Sequence, residues 1–373
     1  MARTIAFLLL VSLAGCSKAA PVDAGRLRVP SGFKVSVFAQ TGSRPRMLAF
    51  SPGGVLLVTS QADGKVLALP DPAGSGHAQR VVPVLEELDA PHGIAFHKGG
   101  LYIAETGQVV RYDWDEAALR ASRPRVLARL SRGGNHFTRT LLFANGKMYV
   151  SVGSTCNACK EQDERRAVVL EFNEDGTGGR VFARGTRNAV GLALSPQTGT
   201  VWATENGRDW LGDDLPPEEI NDLGKNGGDF GWPYCYADRV PDLEFSRDSA
   251  ARCAQTIPPK FKMQAHSAPL GLAFYTGAMF PAEYRGDLFV AFHGSWNRCV
   301  PTGYKVVRIR VNAQGDALGI EDFITGWVQP GETRKGRWMG RPVGIVVAPD
   351  GSLYVSDDAS ESNGAVYRVT YGK

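Results

Sequence analysis

The stretch "RNAVGLALSPQTGTVWATE" (residues 187–205) is an apolar run, a polar turn and a second apolar run that ends on an acid. Five other stretches repeat this layout: "RPRMLAFSPGGVLLVTS" from Arg44, "APHGIAFHKGGLYIAE" from Ala90, "TRTLLFANGKMYVSVG" from Thr138, "APLGLAFYTGAMFPAEYRGDLFVAF" from Ala268 and "GRPVGIVVAPDGSLYVSD" from Gly340. Apolar runs this short, bounded by Gly, Pro and Asn, read as strands joined by tight turns. The copies lie about 45 to 80 residues apart with no helical pattern of comparable strength between them, which predicts a propeller with one blade of about four strands per copy. "LRVPSGFKVSVFAQ" (27–40) precedes the first copy and "GAVYRVTY" (364–371) follows the last. Pairing these ends in one blade would close the ring and remove open sheet edges. The expectation is an all-β, six-bladed β-propeller over 27–373 with one long loop insertion at 206–261.

A net charge of +4 over 373 residues is too small to imply binding to DNA or RNA, so no nucleic-acid partner is expected. "MARTIAFLLLVSLAGC" places Arg3 before an apolar run too short to span a bilayer, the layout of an export signal. "LAGC" resembles a bacterial lipobox. Residues 1–15 are therefore expected to be a lipoprotein signal peptide and 16–26 a tether, with a lipid on Cys16 holding the protein to the membrane. The implied location is the bacterial cell envelope, facing the periplasm, and Ser17 after the Cys leans toward the outer membrane. Export permits disulfides. "CNAC" lacks the following His of a c-type haem site, and no second CxxC completes a zinc site. A Cys156–Cys159 or a Cys235–Cys253 bond is expected, with Cys299 left over.

The repeat also maps a site. In a hairpin, the residue entering the first strand and the residue leaving the second lie at the same end, opposite the turn. The entering positions carry Arg44, Arg46, His92, His136, Arg139, Arg187, Asn188, His266 and Arg341; the leaving positions carry Gln61, Glu105, Ser154, Glu205, His293, Asp357 and Asp358. The opposite ends carry turn residues such as "HKGG" and "APDG". One face is thus loaded with Arg and His, without a Ser or Cys nucleophile motif, and suits an anionic cofactor or substrate.

The ordered set "VPSGFK", "NHFTRTLLF", "YVSVGSTCN", "RGTRNAVGLA", "WATENGRDWLGDDLPPEEIN", "GDFGWPYC", "HSAPLGLAFYTG", "HGSWNR" and "GRPVGIVVAPDGSLYVSDD" resembles the quinoprotein sugar dehydrogenases of the soluble glucose dehydrogenase type, in particular their L-sorbosone and aldose sugar dehydrogenase-like branch. The resemblance covers nearly the whole chain after the signal. It implies pyrroloquinoline quinone (PQQ), a planar tricarboxylate, together with Ca²⁺. His136 matches the family's general base, which takes the proton of the sugar C1 hydroxyl as hydride passes to a quinone carbon. Arg187 and Asn188 match a cofactor-contacting pair, Arg187 also polarising the quinone. Arg139, Asn157, Arg298 and Arg341 are further implied cofactor contacts. Arg139 stands three residues after the His where the family has four, Val343 occupies the place of a second family arginine, and Arg298 or His293 stands near the family's cofactor-binding Lys. The backbone carbonyls of Gly207 and Arg208 are implied Ca²⁺ ligands. Glu219, in "EEIN", belongs to a run that orders this loop or holds a second, structural Ca²⁺.

Seven carboxylates fall between Glu205 and Asp222, but no regular D-x-D-x-D-G spacing is present, so the run is not an EF-hand. Trp210, Trp232 and Trp296 lie in loops of the same face, where they can stack on a sugar or the cofactor or pack the loops, and packing is favoured for Trp232. The implied partners are a small sugar and a cytochrome or quinone-linked electron acceptor. Two other readings are a Ca²⁺-dependent lactonase-type propeller, which would leave Arg187, Asn188 and Arg341 without a purpose, and a non-catalytic propeller that binds glycans or proteins.

Overall fold

The computed structural model describes residues 23–245, 249–334, 338–359 and 364–372. The expected signal peptide, Cys16 and most of the tether lie outside the described residues.

Each repeat forms the two inner strands of one antiparallel sheet, and the sequence that follows it adds the outer strands. Blade 1 runs Pro45–Phe50, Leu56–Ser60, Lys65–Leu69, Val82–Leu85; blade 2 runs Gly93–His97, Gly100–Glu105, Gln108–Asp115, Arg120–Arg129. Blade 3 runs Leu141–Ala144, Lys147–Val152, Val168–Asn173, Arg180–Arg184; blade 4 runs Leu192–Leu194, Val201–Glu205, Glu218–Asp222, Phe261–Met263. Blade 5 runs Pro269–Phe274, Leu288–Phe292, Lys305–Val311, Ala317–Ile324. Blade 6 takes Pro342–Val347, Leu353–Asp357 and Ala365–Tyr371 from the end of the chain and Phe33–Gln40 from its beginning, paired from Phe33 opposite Tyr371 to Gln40 opposite Ala365 with a bulge between Val37 and Ala39. The ring therefore closes as the two end segments lead one to expect. Phe33 fixes the closure, its ring meeting Phe280, Tyr284 and Phe323 of blade 5 edge-on at 4.8, 5.1 and 5.0 Å. The turn residues do what their types require. Asn145 and Gly146, at φ 53° and 72°, join the paired residues Ala144 and Lys147 in the left-handed geometry of a two-residue hairpin.

A hydroxyl in the second strand holds adjacent blades together. The Thr59, Thr204 and Ser356 oxygens accept the N–H of Met47, Gly191 and Gly344 at 3.1, 2.8 and 2.8 Å, and the hydroxyls donate to the carbonyls of His92, Leu270 and Arg46 in the next blade at 2.8, 2.8 and 2.5 Å. All these groups are buried, so each bond prevents the cost of an unpaired polar atom. The seams are tight: a Cβ on Gly191 would lie 2.2 Å from the Leu270 carbonyl oxygen.

The stretch 206–261 is not one insertion. Glu218–Asp222 within it is the third strand of blade 4, paired with Val201–Glu205. Its four acidic or amide residues hid it, because here Glu218 and Glu219 are buried instead of solvated. Only the excursion after this strand is extra. It adds Gly228–Asp229 as a parallel fifth strand on blade 3, a small hairpin of Cys235–Tyr236 with Val240–Pro241, and a short helix, Ser249–Cys253. Both Cys156–Cys159 and Cys235–Cys253 are disulfides, and Cys299 is free and exposed.

Candidate active site

Loops of blades 3 and 4 build one half of the loaded face. His136 precedes the inner strand of blade 3, and its Nδ1 lies 2.8 Å from the Ser154 Oγ and 3.1 Å from the Ser154 carbonyl. The Ser154 hydroxyl donates its own proton to the Cys156 carbonyl at 2.6 Å. Its oxygen must therefore accept from the ring, so Nδ1 carries the hydrogen and Nε2 presents a lone pair. Burial, with help from the positive charges of Arg187, Arg166 and Arg139, pushes the His136 pKa down to about 3, keeping the ring neutral at pH 7. Gly153 makes room for this arrangement: a Cβ there would fall 2.5 Å from the His136 Cβ and 2.7 Å from the Asn188 Oδ1.

Arg187 comes from the entry to blade 4 and is held from three directions. Its Nε donates to the Asn157 carbonyl (2.8 Å), Nη1 to the Asn206 carbonyl (2.9 Å), and Nη2 to both the Asn157 Oδ1 (2.9 Å) and Asp209 (3.2 Å). Asn188 sits next to it, with its N–H on Glu205 and its side chain toward Gly153 and His136. Asn157 is saturated by Arg187 and by the Asp209 backbone, so its role in this arrangement is to orient Arg187.

Arg139 requires a correction as a cofactor contact. It is fully buried, and its guanidinium donates to the carbonyls of Ser131, His136 and Thr138. Standing only three positions after the His along the chain, the arginine turns under its own loop and shapes it from inside. Arg166, which no motif singled out, does the same from the other side, donating to the Gly153 and Arg132 carbonyls at 3.1 and 2.8 Å.

The loop after Glu205 is pinned at both edges. The Gly207 N–H donates to Glu218 at 2.7 Å, and the Arg208 guanidinium pairs with Asp242 and Glu244 at 2.8 Å each. The neighbouring carbonyls of Asn206 and Asp209 accept from Arg187 and Asn157. Among the described residues, the Gly207 and Arg208 carbonyls accept no hydrogen bond. Two adjacent unpartnered carbonyl oxygens in an acidic loop are a donor set that Ca²⁺ takes. Gly207, Arg208 and Glu219 also line one cavity of about 30 Å³ with Glu205, whose buried Oε2 has no partner among the described residues. Burial raises all three acids behind the loop, Glu218 to about 8, Glu219 to about 7, and Glu205 well above the usual range.

The other half of the face belongs to blades 5, 6 and 1. The Arg341 Nε and Nη2 donate to the His293 and Gly294 carbonyls at 3.0 and 2.8 Å, its plane lies near Trp338 and Tyr304, and Nη1 has no partner among the described residues. His293 is bound to Asp358 at 2.8 Å, and Asp358 to Arg46 at 2.5 Å. Arg298 also requires a correction. Its Nη1 is engaged by the Asp213 carbonyl (2.6 Å) and Asp214 (3.2 Å) and its Nε by the Val300 carbonyl, so it ties the blade 4 loop to blade 5 and keeps only Nη2 without a partner among the described residues. Between the halves stands a contact that the motifs did not reveal. Asn297 donates to Asp209 at 2.8 Å, flanked by the exposed Trp210 and Trp296, whose rings meet edge-on at 5.2 Å. Trp232 is buried and donates to the Asn157 carbonyl at 3.4 Å, a packing role.

The TrAA12-like family model matches residues 27–372. A relative in Borreliella burgdorferi, an uncharacterized protein, is 30% identical over 93% of this chain and 91% of its own length. The pyrroloquinoline quinone-dependent pyranose dehydrogenase of Coprinopsis cinerea is 27% identical over 91% of this chain, which spans 54% of that protein's length. The holo structure of the PQQ domain of the Coprinopsis enzyme superimposes with a TM-score of 0.79 at 25% identity, covering 92% of this chain and 97% of that one. A calcium structure of a Trichoderma reesei protein of family AA12 shares the fold, with a TM-score of 0.81 at 23% identity over 93% and 97% of the two chains.

Proposed function

This chain belongs to the TrAA12-like family, and from that premise we propose that it is a PQQ- and Ca²⁺-dependent dehydrogenase of an aldose or a sugar-derived aldehyde such as sorbosone. The observation that carries the reading is the placement of a neutral His136, its Nε2 lone pair fixed by Ser154, beside the oriented Arg187–Asn188 pair and the unbonded carbonyls of Gly207 and Arg208. These residues fit a planar tricarboxylate with a hard cation at its edge. Arg187, Asn188 and the open Nη1 of Arg341 would hold PQQ, and the two carbonyls would hold Ca²⁺. When bound, PQQ supplies the two-electron acceptor for the sugar's anomeric C–H, made more electrophilic by Ca²⁺.

The chain's own work is proton handling and positioning. His136 Nε2 accepts the C1 hydroxyl proton, and burial beside Arg187 keeps the ring unprotonated at pH 7 so that its lone pair is available. Ser154 keeps the ring in the required tautomer. Trp210 and Trp296 offer apolar faces to the sugar at the mouth. The envelope location, the lipid on Cys16 and a cytochrome or quinone-linked acceptor complete the proposal; they rest on residues 1–17 and on the need to discharge two electrons. A lactonase-type metal cage of side-chain carboxylates is less well served. Among the described residues the one close metal-ligand grouping is Cys156, Cys159 and Glu161, and its sulfurs are joined to each other.

Dye reduction by purified protein with PQQ and Ca²⁺, across aldoses and sorbosone and with each component omitted in turn, tests this. Turnover only with both is expected. No turnover and no PQQ binding would overturn the reading.

A further inference from the structure

The loop "STCNAC" (154–159) touches both residues on which the proposed chemistry depends. Its first residue, Ser154, accepts the His136 Nδ1–H and passes its own proton to the Cys156 carbonyl at 2.6 Å. Its fourth, Asn157, gives its backbone carbonyl to the Arg187 Nε and its Oδ1 to the Arg187 Nη2 and the Asp209 N–H, at 2.8, 2.9 and 2.8 Å. Asn157 stands between Cys156 and Cys159, which are joined, so a four-residue covalent ring carries the contacts. Thr155, on the near side, is clamped by Glu161 through its N–H and its hydroxyl at 2.6 and 2.8 Å. The segment is otherwise outside regular structure, falling between the strands Lys147–Val152 and Val168–Asn173. Neither Cys156 nor Asn157 is deeply buried, so packing alone does not hold it.

We infer that the Cys156–Cys159 disulfide is a positioning element of this site, which fixes the His136 tautomer and the plane of the Arg187 guanidinium together, and that its reduction switches the site off. This rests on the proposed dehydrogenase reading for its consequence in catalysis, but not for its consequence at His136. Reduction by a dithiol transfers two electrons and two protons: the S–S bond breaks, two thiols form, and the dithiol closes to its own disulfide. The freed loop gains backbone entropy. The Cys156 carbonyl then no longer anchors the Ser154 hydroxyl, which is free to donate to the ring, and only the longer contact to the Ser154 carbonyl at 3.1 Å still favours the Nδ1–H form. Asn157 no longer presents two acceptors to Arg187 at once.

The test uses the full chain in two states, oxidised and treated with a phosphine reductant, alongside a Cys156→Ser/Cys159→Ser variant. In the apo-protein, nitrogen NMR of labelled imidazoles, with His136 assigned from a His136→Gln sample, reads the tautomer directly. The Nδ1–H form should dominate when oxidised and give way to a mixture when the bond is broken. In a second arm, PQQ is titrated in the presence of Ca²⁺, and the affinity should fall on the order of 10 to 100-fold, as for the loss of an orienting contact. Near-ultraviolet circular dichroism is followed throughout, because Cys235–Cys253 is also reducible. An unchanged His136 tautomer after reduction would overturn the inference, and so would a loss of PQQ affinity that appears only together with loss of the tertiary signal. If the oxidised protein binds no PQQ while the tautomer still responds to reduction, the positioning role stands and the dehydrogenase reading falls.

Discussion

The two halves of the loaded face carry similar residues to different ends. On the side of blades 5, 6 and 1, Arg46, Asp358 and His293 form a closed chain of bonds at 2.5 and 2.8 Å. Burial works to raise Asp358, but His293 and Arg46 outweigh it and hold the carboxyl far below its usual range, so the carboxylate is answered from within, while the Arg46 Nε behind it is the one atom of this chain of bonds buried without a partner among the described residues. On the side of blades 3 and 4, the polar groups are oriented but not all answered. Among the described residues, the His136 Nε2 and the Gly207 and Arg208 carbonyls lack protein partners, and the Glu205 Oε2 is buried without one. A closed network contributes to holding the fold, whereas oriented groups left open are available to a ligand. Arg341, with one open nitrogen, is the point where the closed half reaches toward the open one.

The sharpest break of this contrast is His136→Gln, which leaves the loop bonds largely intact. It should lower kcat by about 10² to 10⁴-fold, the usual worth of a positioned base, with little change in melting temperature; dye-coupled kinetics and calorimetry check it. Arg187→Ala should hurt in both ways. It leaves the Asp209 carboxylate with Asn297 as its remaining side-chain partner and frees the Asn157 and Asn206 carbonyls, for a loss on the order of 2–3 kcal/mol in denaturant unfolding, and it should abolish measurable PQQ binding. Asp358→Asn, in the closed half, should cost a similar amount, about 3 kcal/mol, yet weaken PQQ binding far less than Arg187→Ala, because it reaches the cofactor only through Arg341, whose carbonyl accepts the Asp358 N–H at 3.1 Å. Equal losses of affinity in the two variants would erase the distinction. The smallest mutational effect belongs to the scaffold: Thr204→Val removes the hydroxyl between blades 4 and 5 and should lower stability by about 1–2 kcal/mol without touching turnover.

The halves should also differ in acid. The folded pKa of His136 lies near 3 and its ordinary value is 6.5, so the unfolded chain binds the extra proton throughout that window and stability falls as pH drops through it. Asp358 is likewise depressed, but from 3.8, so its contribution is present above about pH 4 and is lost only below it. Unfolding free energies of wild type minus His136→Gln should therefore change between pH 6.5 and 3, whereas those of wild type minus Asp358→Asn should change below about 4 and also between 6.5 and 4, because Asp358 supports the pKa of its partner His293, which burial pushes down to about 4. Under turnover, the acid limb of kcat/KM should lie well below the pH of an ordinary histidine.

Most of the fold was legible because propeller blades obey local rules. The Gly of "VGLAL" and "VGIVV" and the Ser or Thr of "VTS", "ATE" and "VSD" recur because adjacent inner strands approach within van der Waals distance and need a small hydroxyl between them. The strand Glu218–Asp222 was not legible, since two buried glutamates break the apolar pattern that marks a strand. The end-of-strand rule placed His136, Arg187 and Arg341 on the loaded face, where the structure has them. It placed Arg139 on the same face because chain position cannot say whether a long side chain turns outward or under its own loop. Asp209 and Asn297 were invisible because their importance arises from contacts between blades 3, 4 and 5, more than 80 residues apart for that pair. The only sequence trace was the acidic run after Glu205.

The central claim is that the open half is a preformed site for PQQ held with Ca²⁺. Titrating PQQ into the apo-protein, followed by absorbance, with Ca²⁺ present and with Ca²⁺ removed by a chelator, tests it most directly. Saturable binding at one equivalent that weakens by tenfold or more on Ca²⁺ removal is the predicted result. Binding that is absent, or that is indifferent to both Ca²⁺ and Arg187→Ala, would contradict the account.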